Sequence, residues 1–400
     1  TDRVASSANV EAHARIVAQK FIQRELIRIS GETIEAAFED TTDVFDLLDR
    51  SEQQLFEVAE GNIRQGYQEM GAVIRQVIEG IDQARLNKDG VSGVPTGFNA
   101  LDQLTGGWQR SDMVVLAARP GMGKTAFVLS MARNMAVDHD VPVAVFSLEM
   151  SSSQLVQRLV AAESELSAEK FRKGDLEEYE YQQLQSRITK LAKAKLFIDD
   201  TPALSVFELR AKCRRLKQKH GINMVIIDYL QLMTAGGENS SKGNREQEIS
   251  TISRSIKSIA KELDVPVIAL SQLSRSVETR GGDKRPILSD LRESGAIEQD
   301  ADIVCFIYRP EYYGITEDAD GIDTENMGEL IVAKHRNGGL DTVKLKFTKH
   351  LAKFSDYDAF ADSPFDTGGG MAPNENFANA GAKTMTVGSR MNEKGEDPPF

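Results

Sequence analysis

Apolar residues in the first part of the chain recur at helical spacing. Val10, Ile16, Val17, Phe21, Leu26 and Ile27 stand among charged residues and predict a helix over 10–29. Gly31 is expected to interrupt it before a short helical piece over 33–38. Leu47, Leu48, Leu55, Phe56 and Val58 mark a second amphipathic helix over 44–59. Met70, Val73, Ile74, Val77, Ile78 and Ile81 then form one apolar stripe on a single helix. The segment that follows, N-K-D-G-V-S-G over 87–93, has the composition of a linker. A lone striped helix must bury its stripe, either on its own domain or on a neighbouring subunit.

From Val94 onward the pattern changes. Short, continuous apolar runs predict strands over 113–118, 141–149, 196–199, 224–230, 265–271, 303–308, 329–334 and 342–348. Helical patterns separate the early ones, over 126–137, 152–162, 177–194, 206–220 and 246–263. Strands apolar on both faces and alternating with helices predict an α/β fold with a mostly parallel, doubly covered sheet. The last two strands flank Gly338-Gly339 and read as an antiparallel hairpin at the sheet edge. Beyond Tyr357 the periodicity stops. Residues 362–400 hold Gly368-Gly369-Gly370, Pro398-Pro399 and few large apolar side chains, and are expected to be disordered. No internal repeat is visible.

Composition changes this picture little. Of 400 residues, 40% are hydrophobic and 27% charged, an ordinary globular balance. No apolar run reaches membrane-spanning length, and no secretory leader is visible. The chain opens at Thr1 without Met, as expected of a fragment or a processed chain. Cys213 and Cys305 have no pairing or metal spacing, which points to a reducing cytoplasm, and the scattered histidines suggest no zinc site. The net charge of −13 argues against a protein that coats nucleic acid. Charge distribution is a separate matter. Lys257 and Lys261 read as a solvated helix face, whereas Arg275, Arg280, Lys284 and Arg285 fall in loop-like sequence suited to anion contact.

The chemistry centres on residues 118–125, A-R-P-G-M-G-K-T, between a buried strand and a helix. Gly121 and Gly123 let the backbone curl so that its amides face an anion, and the helix N-terminus adds partial positive charge. Lys124 can reach the β- and γ-phosphates, and the Thr125 hydroxyl can ligate Mg²⁺. The first position is Ala118 where the usual loop has glycine.

Further candidates lie at the ends of strands. The run 224–228 ends in Asp228, the shape of a Mg²⁺-coordinating strand beside a phosphate loop. The run 143–149 ends in Glu149, which reads as a base for an attacking water or as an acid at a helix start. The run 267–272 ends in Gln272, either a γ-phosphate sensor feeding the loop over 273–285 or a solvated strand end. Lys334 and Arg336 precede Gly338, as an arginine finger acting across a subunit boundary or as a capped turn. Arg292 and Gly295, in the polar stretch 289–302, can hold a sugar-phosphate chain.

Taken together, V-P-T-G-F (94–98), the phosphate loop, F-S-L-E-M-S (146–151), I-D-Y-L-Q-L (227–232), A-L-S-Q-L-S-R (269–275), the 290–302 stretch and K-H-R-N-G (334–338) closely resemble the bacterial replicative DNA helicase family, DnaB. The resemblance runs from about Val10 to Tyr357. It implies a RecA-like P-loop ATPase core over 94–361, preceded by a partial all-α N-terminal domain over 1–66 of the collar and primase-interaction type. A linker helix and linker over 67–93 would join them, the helix packing on the next subunit. It implies a homohexameric ring that encircles single-stranded DNA and moves 5′→3′, with ATP and Mg²⁺ as cofactors.

Its site residues would be Gly121, Met122, Gly123, Lys124, Thr125 and Ala126 on the nucleotide. Thr125 and Asp228 would hold Mg²⁺, with Glu149 the base and Gln272 the sensor. Lys334 and Arg336 would act on the neighbour's ATP, and Arg158 would lie near the nucleotide. Arg292, Glu293 and Gly295 would hold DNA, with Arg245 a further channel residue. Forked duplex DNA, primase, helicase loader and other replisome components are the implied partners, at the cytoplasmic replication fork on the nucleoid. A RecA-like recombinase filament and an ATP-switched scaffold or loader are the two alternative readings.

Overall fold

The computed structural model describes residues 10–39, 91–234, 245–281, 284–291, 295–317 and 321–357, with isolated helical positions between 44 and 82. The expected tail over 362–400 lies outside the described residues.

The first helix, α1, runs Val10–Ala37 without interruption. Gly31 therefore does not break it. A single interior glycine costs only about 1 kcal/mol relative to alanine, too little to stop a helix with turns on both sides. A Cβ at Gly31 would meet nothing within 4 Å. Gly31→Ala should thus stabilise α1 by about 0.5–1 kcal/mol, read as a rise in thermal midpoint. The described positions within 44–58 and 70–82 are helical. Met70, Ile74 and Ile78 are exposed, so these three members of the linker stripe are not buried on their own chain.

The α/β part is built on nine strands among the described residues: β1 Met113–Ala118, β2 Val143–Ser147, β3 Leu196–Asp199, β4 Met224–Asp228, β5 Val267–Gln272, β6 Ile303–Tyr308, β7 Met327–His335, β8 Thr342–Thr348 and β9 Lys353–Asp356. They form one sheet in the order β3-β2-β4-β5-β1-β6-β7-β8-β9. Pairing is parallel from β3 through β6 and antiparallel from β6 to β9. The hairpin of β7 and β8 is as expected. The last strand, β9, is not visible in the sequence pattern, because its only large apolar residue is Phe354, which pairs with Phe347.

The helices after α1 are α2 Asn99–Thr105, α3 Lys124–Arg133, α4 Ser152–Ser164, α5 Ala168–Lys173, α6 Glu178–Lys193, α7 Val206–His220, α8 Arg245–Leu263, α9 Ser276–Thr279 and α10 Gly295–Asp300. The helix expected over 126–137 is α-helical only to Arg133 and continues as a π-helical turn, Asn134–Asp138. Alternate β1 residues face opposite cores. Val114, Leu116 and Ala118 pack with Phe127, Phe347 and Phe354 on one side. Met113, Val115 and Ala117 pack with Leu209, Ile252 and Ile256 on the other. Burying each of the larger of these side chains contributes about 1.5–3 kcal/mol, which explains why these strands read as unbroken apolar runs.

The chain leaves β1 through α3 and enters β2, which is separated from β1 by β4 and β5. Ligands of open α/β sheets bind beyond the carboxyl ends of strands where the order jumps in this way. Ala118, Ser147, Asp228 and Gln272 all end their strands at that edge.

Candidate active site

Beyond Ala118 the chain turns through two glycines with positive φ, Gly121 at 80° and Gly123 at 97°. Space as well as backbone requires glycine here. A Cβ on Gly123 would lie 3.0 Å from the Phe354 ring, and one on Gly121 3.3 Å from the Tyr312 ring. Helix α3 begins at Lys124 with Gly123 as its N-cap and no side-chain cap bond. Its first amides are therefore available to an anion.

Lys124 Nζ donates to the Ser271 carbonyl at 3.1 Å and lies 5.2 Å from the Tyr229 ring centre. Burial pushes this ammonium below its ordinary pKa, against the opposing pull of Asp228 and Glu149. Thr125 Oγ1 donates to Asp228 Oδ2 at 2.8 Å. The other oxygen, Asp228 Oδ1, is buried without a hydrogen-bond partner. Burial raises the Asp228 carboxyl, while Thr125 and Lys124 pull it down. A hydroxyl beside a carboxylate oxygen with a free lone pair is a donor set that fits Mg²⁺.

Glu149 follows β2, whose last residue, Ser147, stands opposite Asp228 in register. It is exposed at this edge. The start of α4 does not need it. Ser151 and Gln154 form a capping box there, and the Ser152 amide donates to Asp200 Oδ2 at 2.7 Å. Gln272 pairs with Ala118 at the base of the loop and is exposed. Arg158 is half-buried on α4, near enough to lower the Asp228 pKa, and lines a cleft with Ala126, Ser130 and Lys353.

Lys334 and Arg336 lie elsewhere. Lys334 Nζ donates to the carbonyls of Glu298 at 2.5 Å and Ala301 at 2.8 Å, and Arg336 Nη2 to that of Gln299 at 2.5 Å. The Arg336 amide donates to the Asp302 carbonyl, and Asp302 Oδ2 accepts from Met113 N at the start of β1. Both cations therefore sit at the opposite edge of the sheet from the phosphate loop. Six strand residues separate the edges, roughly 17–20 Å.

Of the candidate DNA contacts, Arg292 and Glu293 lie outside the described residues. Gly295 opens α10. Arg245 opens α8, paired with Glu248 and donating to the Gln231 carbonyl at 2.5 Å. Two of the loop cations suited to anion contact meet carboxylates of this chain: Arg280 is paired with the buried Asp290, and Arg285 with the buried Glu329 at 2.5 Å. Lys257 needs correction, because it is not solvated: it is paired with Asp302 and donates to the Ser111 carbonyl at 2.8 Å. These partners lie far along the sequence, beyond the reach of local pattern.

Sequence reasoning misses Arg309. It follows β6 as Gln272 ends β5, at the same edge beside β1, and that placement is the signal that finds it. It is 7% exposed, lies 4.1 Å from the Phe347 ring centre, and its Nη1 donates to the Gly121 carbonyl at 3.4 Å. It thus props the phosphate loop from behind.

Residues 93–356 match the sequence profile of the DnaB-like helicase C-terminal domain. The chain is 48% identical to the replicative DNA helicase DnaC of Bacillus subtilis (strain 168), over 88% of this chain and 76% of that protein. It is also 48% identical to the replicative DNA helicase DnaB of Geobacillus stearothermophilus, with the same coverage. Among solved structures, one of an ATPase domain matches with a TM-score of 0.66 at 41% identity, covering 73% of this chain and 100% of that one. A DnaB-like replicative helicase, studied with its interactions with primase, matches at 0.70 and 37% identity, covering 89% and 81%.

Proposed function

This chain belongs to the DnaB-like helicase family, and from that premise we propose that it encircles one DNA strand as a ring of six and moves 5′→3′. It is a replicative DNA helicase, an enzyme that unwinds duplex DNA with ATP. The observation that carries the mechanism is the Thr125–Asp228 pair under the glycine loop, with Lys334 and Arg336 at the far edge of the same sheet.

The amides of Gly121 to Ala126, Met122 included, hold the triphosphate, and Lys124 neutralises its β- and γ-oxygens. Thr125 and Asp228 would hold Mg²⁺, with Asp228 Oδ1 as an open donor. Held there, it would supply positive charge beside the phosphate oxygens. Phosphate against Lys124 also opposes the lowering of its pKa by burial and so favours the charged ammonium. Glu149 takes the proton of the attacking water. Gln272 reports on the γ-phosphate, Arg158 flanks the nucleotide, and Lys334 and Arg336 serve the neighbouring subunit's ATP.

Arg292, Glu293 and Gly295 line the channel and hold the DNA backbone, with Arg245 beside them. The helical domain over 1–66 forms the collar and meets primase, and the 67–93 linker helix packs its stripe on the next subunit, ahead of the ATPase domain over 94–361. The ring works at the cytoplasmic replication fork on the nucleoid, with a loader and replisome proteins. Among the described residues no helix is long and apolar enough to cross a membrane.

Two measurements test this. A fork with a 5′ single-stranded tail should be unwound with ATP, and one with only a 3′ tail should not; the reverse preference would overturn the polarity. Hydrolysis without unwinding of either fork would favour a scaffold, and open filaments in electron micrographs a recombinase. Because the grip is on phosphates, affinity for oligo-dT should fall roughly tenfold or more between about 50 and 200 mM salt. A flat salt response would remove the channel assignment.

A further inference from the structure

Arg336 is held by more than the turn that carries it. Asp302, between α10 and β6, is 6% exposed. Its carbonyl accepts from the Arg336 amide at 3.0 Å, and its own amide donates to the Met113 carbonyl at 2.9 Å. Its two carboxylate oxygens face different ways. Oδ2 accepts from Met113 N at 2.8 Å and from Lys257 Nζ. Oδ1 lies 3.7 Å from Arg336 Nε. Lys257 comes from α8, donates to the Ser111 carbonyl at 2.8 Å and lies 4.0 Å from Asp112 Oδ1. The pairing of β6 with β7 also shifts register here: Val304 stands opposite Lys334, but Cys305 stands opposite Val332. A bulge at this point re-aims the end of β7, and with it Arg336 just beyond.

The plain account is that Asp302 only joins β6 to the start of β1. Its backbone and Oδ2 already do that. Oδ1 is turned to Arg336, whose side chain is half-exposed. A pair as open as this adds little to stability. What it adds is direction. A carboxylate on the Nε side fixes the stem of the arginine, while the guanidinium has further N–H groups to offer a phosphate. Lys257 in turn fixes the carboxylate, so its orientation is set from α8 and β1.

We propose that Asp302 is a positioning residue for Arg336, holding the guanidinium in the direction from which it meets the neighbouring subunit's nucleotide. The proposal rests on reading Arg336 as a finger in trans. It makes a buried carboxylate of one subunit a determinant of turnover in the next.

Asp302→Asn isolates this role. The amide oxygen can replace Oδ2 towards Met113 and Lys257, and Lys257 keeps Asp112 as a second carboxylate, so no buried ammonium is orphaned. The amide nitrogen then faces Arg336 in place of a negative charge. In the full chain this variant should bind a fluorescent ATP analogue within about threefold of normal and hydrolyse ATP about 10–10²-fold more slowly, the scale of a misplaced catalytic group. In an Arg336→Ala background it should change turnover by less than about threefold, because nothing is left to position. Lys124→Ala keeps a native finger. Mixed with it in equal amounts, Asp302→Asn should gain about fivefold or more in turnover per intact phosphate loop, since about half of those loops then meet a native finger. Asp302→Glu keeps the charge but moves it by one methylene, and it carries the test if the Asn variant does not fold. Its turnover should fall, and recover on mixing, in the same way, with ATP affinity unchanged.

Normal turnover in Asp302→Asn overturns the proposal while leaving the finger in place. So does a loss that mixing does not relieve, or one that comes with weakened ATP binding, because damage passing along β1 to the subunit's own phosphate loop has that signature. Failure of both variants to fold makes Asp302 a staple and overturns it too. A chain that forms no rings, or an Arg336→Ala variant with normal turnover, overturns the trans finger first, and the proposal with it.

Discussion

Glu149→Gln should bind ATP at least as tightly as the unsubstituted chain and hydrolyse it about 10²–10⁴-fold more slowly. The amide keeps the shape of the carboxylate and loses only the ability to accept a proton. Binding should not suffer, because removing a negative charge near the phosphates lowers repulsion. Nor should folding, since Ser151, Gln154 and Asp200 already satisfy the first amides of α4. Single-turnover hydrolysis and the affinity of a fluorescent ATP analogue separate the two effects. Turnover within about threefold of normal would place the base elsewhere, since general-base removal has the larger effect quoted above. Poor binding would instead make Glu149 a part of the nucleotide seat.

Glu149 is legible in the sequence for a simple reason. A strand buried on both faces is an unbroken apolar run, so the polar residues at its end or just beyond it, as Glu149 lies beyond Ser147, stand out, and the carboxyl ends of such strands are where ligands bind. Asp228 and Gln272 carry the same signal, and so does Arg309. What stays hidden depends on contacts between distant residues. Arg280 and Arg285 read as suited to anion contact, but which anions they meet is hidden, because Asp290 and Glu329 come later in the chain and only the fold brings them together. Lys257 is misread for the same reason. The edge strand β9 offers one large apolar residue, too little for a period-two pattern. The helix through Gly31 persists because local propensity is a weak term beside the continuity of the turns around it.

The largest effect should come from Arg336→Ala: near-normal ATP binding with turnover down by about 10³–10⁵, or roughly 4–7 kcal/mol of transition-state stabilisation. Chain distance from the phosphate loop first suggests a finger in trans. Geometry supplies the stronger reason. Arg336 is anchored through Asp302 to the start of β1, whereas the loop leaves its end, so an arginine side chain cannot span the sheet to its own nucleotide. In a head-to-tail ring two different patches of the subunit meet, so a group remote from its own site can serve the site of the next.

A structural rival exists, because Arg336 and Lys334 hold carbonyls at the C-terminal end of α10, an arrangement worth about 0.3–1 kcal/mol. That contribution is far too small for the expected loss of turnover. Subunit mixing decides between them. Arg336→Ala keeps an intact phosphate loop, and Lys124→Ala keeps an intact finger. In a random equal mixture about a quarter of the heterologous interfaces pair the good loop with the good finger. Activity should therefore reappear on mixing two inactive proteins. Mixed rings that stay inactive would mean that Arg336 serves its own α10 and that the finger is another residue.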